Sequence, residues 1–353
     1  MTPKGIGKVT AVLGLSALLL SGCGLFGPAK ESMSMDPPQL TQDANLTGTN
    51  DPNAAGQEGI TTTEKQGTVD RMVYLLDNNG FVVPVSMTLP KSEGAAKQVL
   101  AYMVKGGPVE SLLPEGFHAI LPEGTKVIGL NIKNGTATVD FSKEFKKYQP
   151  SEEKKIIDAV TRSLTEFQAI KNISIWVNGK PVSEMPSDHT PVFSLNRDNG
   201  INVELADHAI PGRTTPVTLY FQAQANDKKS YFVPVTRLIP QTEDVTKAVV
   251  EELIKGPKSD SQLFSSFMPS TKVLDVKNSN GTVVINLSKD VLKFDNGKEA
   301  NPEAMESLVL SLTENTGVKQ VQVMVEGKPL TAAGSMNFTK PVSRPIQINA
   351  MPF

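Results

Sequence analysis

The chain has 353 residues, room for two ordinary domains and extra segments. Its 35 Lys and Arg nearly balance 37 Asp and Glu, and the formal net charge of -2 leaves no basic stripe for a phosphate backbone, so no nucleic-acid partner is expected. The single cysteine, Cys23, rules out an intramolecular disulfide and a cysteine-based zinc site.

Lys4 and Lys8 make a short basic start, and the apolar run Val9 to Leu20 is shorter than the ~20 residues of a membrane-spanning helix. Residues 1–22 are therefore expected to be a signal peptide. They lead into Leu20-Ser21-Gly22-Cys23, which looks like the lipobox of bacterial lipoproteins. Cys23 is the expected lipidation site, carrying a diacylglyceryl group and palmitate. Each buried CH₂ of an acyl chain contributes ~0.8 kcal/mol, and two chains hold stably where one does not, so anchoring to the outer face of the cell membrane is expected. Residues 23–67 are rich in Pro, Asn, Asp, Thr, Ser and Gly with few large apolar side chains. Such a stretch cannot bury a core and reads as a tether with a coil-like span of roughly 35–40 Å.

From residue 68 the patterning becomes that of folded elements. Met72 to Leu76 and a run ending at Val85 flank Asp77-Asn78-Asn79-Gly80, a strong hairpin turn. Pro84 lacks an amide proton and confines its strand to an edge or a strand end. Val99, Leu100, Met103 and Val104 predict a helix that Gly106 stops. Lys126 to Ile132 and Thr136 to Phe141 predict strands joined at Asn134-Gly135. A second helix is expected from Ser151, with Glu152 and Glu153 at the positive end of its dipole and one apolar stripe of Ile156, Ile157, Val160, Leu164 and Phe167. Ile173 to Val177 is the last strand, ending at Asn178-Gly179.

The whole series then returns. Thr125-Lys126-Val127, Asn134-Gly135-Thr136, Ser163-Leu164-Thr165-Glu166 and Gly179-Lys180-Pro181 reappear as Thr271-Lys272-Val273, Asn280-Gly281-Thr282, Ser311-Leu312-Thr313-Glu314 and Gly327-Lys328-Pro329. Val83-Pro84-Val85 is answered by Val233-Pro234-Val235, and in the tails Pro191-Val192 and Ile201-Asn202-Val203 align with Pro341-Val342 and Ile346-Gln347-Ile348. A period this long marks tandem domains, since solenoid repeats run roughly 20–50 residues. The expected fold is α+β: two tandem modules, residues 68–207 and 208–353, each a small sheet with two helices on one face behind a β-hairpin. Pro211-Gly212-Arg213-Thr214-Thr215-Pro216 reads as the linker.

Signatures of chemistry are sparse. His118, His189 and His208 fall in predicted loops without metal-ligand spacing, and no nucleophile elbow, phosphate loop or dinucleotide fingerprint occurs. Asp140, the most tempting carboxylate at a strand end, becomes Asn286 in the second module, which an essential acid would not survive. Asp77-Asn78-Asn79-Gly80 and Asp198-Asn199-Gly200 lack the spaced oxygens of a calcium loop and read as tight turns. Trp176 alternates with Ile175 and Val177 on a strand, where a ligand anchor and sheet-face packing compete and packing is the favoured reading, with Met324 in its place in the second copy. The repeated Ser-Leu-Thr-Glu reads as packing and solvation. No catalytic, cofactor or metal residues are expected.

These features together resemble the GerM family of lipoproteins from endospore-forming bacteria. The resemblance rests on the lipobox at Cys23, Tyr74 and Tyr220 in the opening strands, the Lys-Gly-(Gly)-Pro endings at Lys105 and Lys255, the Asn-Gly-Thr hairpins, the Ser-Leu-Thr-Glu helices and the Gly-Lys-Pro turns. It covers nearly the whole mature chain. It implies modules similar to ring-building-motif domains and a non-enzymatic sporulation and germination protein. The family's place is the space between mother-cell and forespore membranes, beside a complex of SpoIIQ and SpoIIIA-type proteins. A soluble fragment is expected to be monomeric. A solute-binding lipoprotein would instead need two lobes joined by crossover strands around one cleft, and a cell-wall hydrolase would need a catalytic constellation.

Overall fold

The computed structural model describes residues 67–226, 229–293, 299–331 and 333–350, all within one compact unit. Cys23, the expected signal peptide and all but the end of the expected tether lie outside the described residues.

The opening hairpin is β1 (Thr68–Asp77) and β2 (Val82–Pro90), with Val73 opposite Val85 and Tyr74 opposite Pro84. After α1 (Ala95–Ala101), the short β3 (Phe117–His118) pairs with the end of β1. Then come β4 (Val127–Lys133), β5 (Thr136–Phe141), α2 (Glu153–Thr165), β6 (Asn172–Val177) and β7 (Lys180–Pro181). Asn134 and Gly135 take φ values of 51° and 76°, the left-handed pair that a two-residue hairpin demands. The sheet order is β4-β5-β6-β7, with β5 and β6 parallel and α2 as their crossover.

The first module's tail contributes β8 (Glu204–Leu205), and the second module repeats the series. Its elements are β9 (Thr214–Asn226), β10 (Lys229–Pro240), α3 (Val245–Lys255), β11 (Val273–Ser279), β12 (Thr282–Leu287), α4 (Pro302–Thr316), β13 (Gln320–Val325), β14 (Lys328–Pro329) and β15 (Val342–Ser343). Asn301 caps α4 by accepting the Ala304 amide at 2.9 Å, with Pro302 in the first turn, and Gly317 ends the helix at φ 64°. Because β9 begins at Thr214, the last three residues of the expected linker are strand, and the connection before them is pinched by an Ile210–Arg213 bridge.

The α+β class and the two tandem modules are as expected. Inward-facing Ala137, Val139, Phe141, Ile173 and Ile175 pack against Ile156, Val160 and Leu164 in one continuous core. One layer differs from the periodicity. Besides its apolar stripe, α2 buries Glu153, Asp158, Thr161, Arg162 and Ser163, because the face that patterning assigns to water is covered by the hairpin, by the 187–190 turn bonded to Glu153, and by Arg197 and Glu314 against Arg162. Each module thus has three layers, with helices between a hairpin and a mixed sheet. Much of this stripe is bonded, as where the Ser163 hydroxyl accepts the Tyr74 amide at 3.2 Å, while the Thr161 hydroxyl and Arg162 Nε are buried without a partner among the described residues.

The tails also correct the sequence alignment. Leu195 bridges Ile173, whereas Val342 pairs with Val321, so Leu195 rather than Val192 corresponds to Val342. Ile201-Asn202 accordingly matches Ile348-Asn349, and Ile346 is 93% exposed while Ile201 and Ile348 are buried. Pro-Val is a local word that recurs by chance of composition, whereas burial selects the isoleucines.

Each tail then crosses to the other module. Ile201 accepts the Thr236 amide at 2.8 Å, and β8 continues parallel to β10. Reciprocally, Ile348 accepts the Ser86 amide at 3.0 Å, and Ala350 bridges the same residue of β2. Asn202 donates to the Val82 and Pro234 carbonyls at 2.8 Å each, and Asn349 donates to those of Phe232 and Pro84 at the same distance. Pro84 lies on β2, the outer strand of its sheet, whereas Pro234 lies on the central β10, outside the two residues that β8 pairs. The two prolines' strands, β2 and β10, face each other across a pseudo-twofold seam stitched by the two asparagines.

Candidate functional site: the charged seam between the modules

The repeated words acquire their meaning at this seam. In Ser163-Leu164-Thr165-Glu166 the serine holds the Tyr74 amide and the leucine enters the core. The threonine accepts from Arg197 Nε at 3.1 Å, and the glutamate accepts from Tyr74 Oη at 2.9 Å and Arg197 Nη2 at 2.5 Å. In Ser311-Leu312-Thr313-Glu314 the serine holds the Tyr220 amide at 2.9 Å, the threonine accepts from Arg344 at 2.9 Å, and the glutamate pairs with Arg344 at 3.2 Å. Arg344 also donates to Tyr220 Oη at 2.8 Å. The motif is a clamp for the opening strand's tyrosine and the tail's arginine.

The clamps are unequal. Arg162, whose counterpart is Leu310, reaches Glu314 at 2.5 Å, and Arg197 of the first module crosses to it at 2.7 Å. Glu314, only 8% exposed at its side chain, therefore faces three guanidinium groups. Burial by itself would raise its pKa, but Arg197, Arg162 and Arg344 overcome this and bring it down to about 2. Arg197 is placed by a turn in which Asn196 accepts the Asp198 amide at 2.8 Å and Gly200 takes φ 75°. A Cβ at Gly200 would meet Val203 at 2.9 Å, so Asp198-Asn199-Gly200 is a positioning turn.

A second cross-module contact joins Tyr231 Oη to Asp77 Oδ2 at 2.7 Å. Burial raises the pKa of Asp77, opposed by the hydrogen bonds from Tyr231 and the Phe81 amide. Asp77-Asn78-Asn79-Gly80 is thus a hairpin turn whose first carboxylate braces the other module.

The remaining sequence candidates lie elsewhere. Asp140 accepts the Gly179 amide at 3.0 Å and Asn286 accepts the Gly327 amide at 2.9 Å, so the pair shares a turn-closing task for which an oxygen suffices. His118 contacts Asn78 at 2.7 Å and His189 contacts Glu184 at 3.3 Å, both at the surface, and His208 occupies a left-handed turn position. Trp176 is half-buried beside Asp140 on the sheet face turned away from the helices. No cluster of metal-binding side chains occurs among the described residues.

Sequence reading missed Arg162, Arg197, Arg344, Asn202 and Asn349. A usable signal existed: Arg197 precedes Asn202 by the same interval that separates Arg344 from Asn349. The Pro-Val alignment of the tails concealed it.

The profile of the Germane family, described as "Sporulation and spore germination", matches residues 72–183 and 218–331. The chain belongs to the Germane family. It is 39% identical over 368 residues to "Spore germination protein GerM" of Bacillus subtilis (strain 168), spanning 100% of both chains. The solved structure of "Tandem GerMN domains of the sporulation protein GerM from Bacillus subtilis" superimposes with a TM-score of 0.75 at 41% identity, over 80% of this chain and 99% of that one. This Germane protein thus shares its tandem architecture with a structure solved from a relative. No helix among its described residues is long and apolar enough to cross a membrane.

Proposed function

We propose that this Germane protein is a non-enzymatic, lipid-anchored assembly factor of sporulation. In this reading Cys23 holds it in the outer face of the mother-cell membrane and the two modules dock onto an envelope complex of the SpoIIQ and SpoIIIA type. The sporulation role is supported by full-length similarity to the spore germination protein GerM. The single structural observation that carries the docking role is the reciprocal crossing of the tails, which ties the two modules to each other and invests the repeated polar residues in holding them together. The exchange of Asp140 for Asn286 in identical turn-closing positions supports a non-enzymatic reading.

The decisive experiment compares wild type with Cys23→Ala in a sporulating strain lacking the native copy. Wild type should fractionate with membranes and copurify with the envelope complex. The variant should be released from the membrane and fail to support spore formation. Full sporulation by a soluble Cys23→Ala protein would reject the anchored role. Deleting one module is a poor test, because each module's second strand is completed by the other's tail.

A further inference from the structure

We infer that the groove between α1 and the start of β4 binds an extended, acidic peptide segment of a partner protein by strand addition. The cavity there has a volume of about 560 Å³ and is lined by Lys97, Gln98 and Ala101 from the helix and by Thr125, Lys126 and Val127 from the approach to β4. β4 is the outer strand of its sheet. Lys133 and Thr136 close a two-residue turn and form a hydrogen-bonded pair, so alternation directs the amide and carbonyl groups of Leu130 and Ile132 to the open edge. No proline interrupts β4, and Ile128, at the strand's bulge, leaves 53% of its surface exposed.

The groove carries two further observations. Thr125, a buried residue, has a hydroxyl without a hydrogen-bond partner. Gln98 donates its amide to the Pro90 carbonyl at 2.9 Å, while its own carbonyl oxygen is enclosed and unpartnered. An incoming backbone would supply what both lack. Charge then selects the occupant. Lys97 and Lys126 line the groove and Lys133 ends β4, and none of the three forms an ion pair among the described residues. A second copy of the chain would bring the same lysines opposite them, so like-charge repulsion disfavours self-pairing and leaves an acidic strand as the complementary guest.

The second module serves as an internal comparison. Thr271 repeats the unpartnered hydroxyl. Ala248 and Glu251 stand where the first module has Gln98 and Ala101, Glu251 pairs with Lys247 at 3.7 Å, and on β11 Lys277 pairs with Asp275 at 2.7 Å. The positive groove belongs to the first module alone. The inference names the chemistry of a partner and rests on the docking role above. Its test contains no sporulation component, so a failure here would leave that role standing.

The probe is a fluorescein-labelled octapeptide of alternating valine and glutamate, titrated with the full-length protein and followed by anisotropy. Saturable binding is expected, weakened at least tenfold by Lys97→Glu/Lys126→Glu and likewise by Ala101→Glu, which installs the second module's residue. The equivalent pair Lys247→Glu/Lys272→Glu should change affinity less than twofold, with unaltered melting of every variant. If the first-module variants fail to fold, Lys97→Gln/Lys126→Gln reads the same groove, with at least a threefold loss expected. Absence of saturable binding, equal losses from the two modules' variants, or equal competition by a polyphosphate of matched charge would overturn the proposal. The last outcome would mean that charge alone is read.

Discussion

Asp140 shows how a duplicated chain tests its own residues. Its carboxylate closes a turn by accepting the Gly179 amide, and Asn286 does the same for Gly327 with a neutral oxygen. Asp140→Asn should therefore change stability by less than about 0.5 kcal/mol, whereas Asp140→Ala should cost about 1 kcal/mol by removing the acceptor; urea unfolding measures both. Glu314 is the opposite case, a buried carboxylate neutralised by three arginines. Its folded-state pKa of about 2 lies below the ordinary 4.5, so its contribution is complete above about pH 4.5 and fades as pH falls towards 2. A shift of this size corresponds to about 3 kcal/mol. Glu153 acts in the same direction: burial would raise its pKa, but hydrogen bonds from Thr190, Tyr148 and Ser187 bring it down to about 2. Glu314→Gln should destabilise the protein by about 3–5 kcal/mol at neutral pH through the uncompensated arginines, and it should flatten the decline between pH 4.5 and 2. An unchanged acid limb in the variant would place the titration elsewhere.

At the scale of elements, the tails matter more than their length suggests. Ile348 and Asn349 belong to the second module by sequence, yet they bond Ser86 and Pro84 of the first module's β2. Asn349→Ala removes three side-chain hydrogen bonds, those with the Phe232 amide and with the Pro84 and Phe232 carbonyls. Buried groups left unsatisfied make the cost about 1–3 kcal/mol. Truncation after Arg344 should accelerate hydrogen exchange at the Ser86 amide, far away in sequence, because its acceptor is the Ile348 carbonyl. Unchanged protection of Ser86 would contradict the crossed tails. The helices show the same interdependence, since α2's polar face is covered by the hairpin and held through Ser163.

For the whole molecule, reciprocal strand addition and a seam of cross-module ion pairs couple the modules into one cooperative body. Calorimetry should show a single unfolding transition with matching calorimetric and van't Hoff enthalpies, whereas independent tandem domains would melt separately. Arg197→Ala weakens the pairing with both Glu166 and Glu314, and it should be the point change that splits the transition first. The proposed docking would use two modules already tied together, which removes part of the ordering cost of a bivalent contact.

Local rules were enough to read the hairpins, the existence of the helices and the duplication from the chain alone, because Asn-Gly turns and apolar periodicity act over a few neighbouring residues, but α1 ends at Ala101 rather than at Gly106 and α2 starts at Glu153 rather than at Ser151. Those same rules also marked Asp140 as structural, since a second copy of the module was available for comparison. The register of the tails, the burial of α2's polar face and the partners of Glu314 were decided only by the tertiary structure. Each depends on contacts between residues far apart in the chain, such as Tyr74 with Ser163, Asn349 with Pro84 and Arg162 with Glu314. Local periodicity carries no information about which surface will cover a polar stripe. A buried charge is satisfied by whatever the fold brings to it.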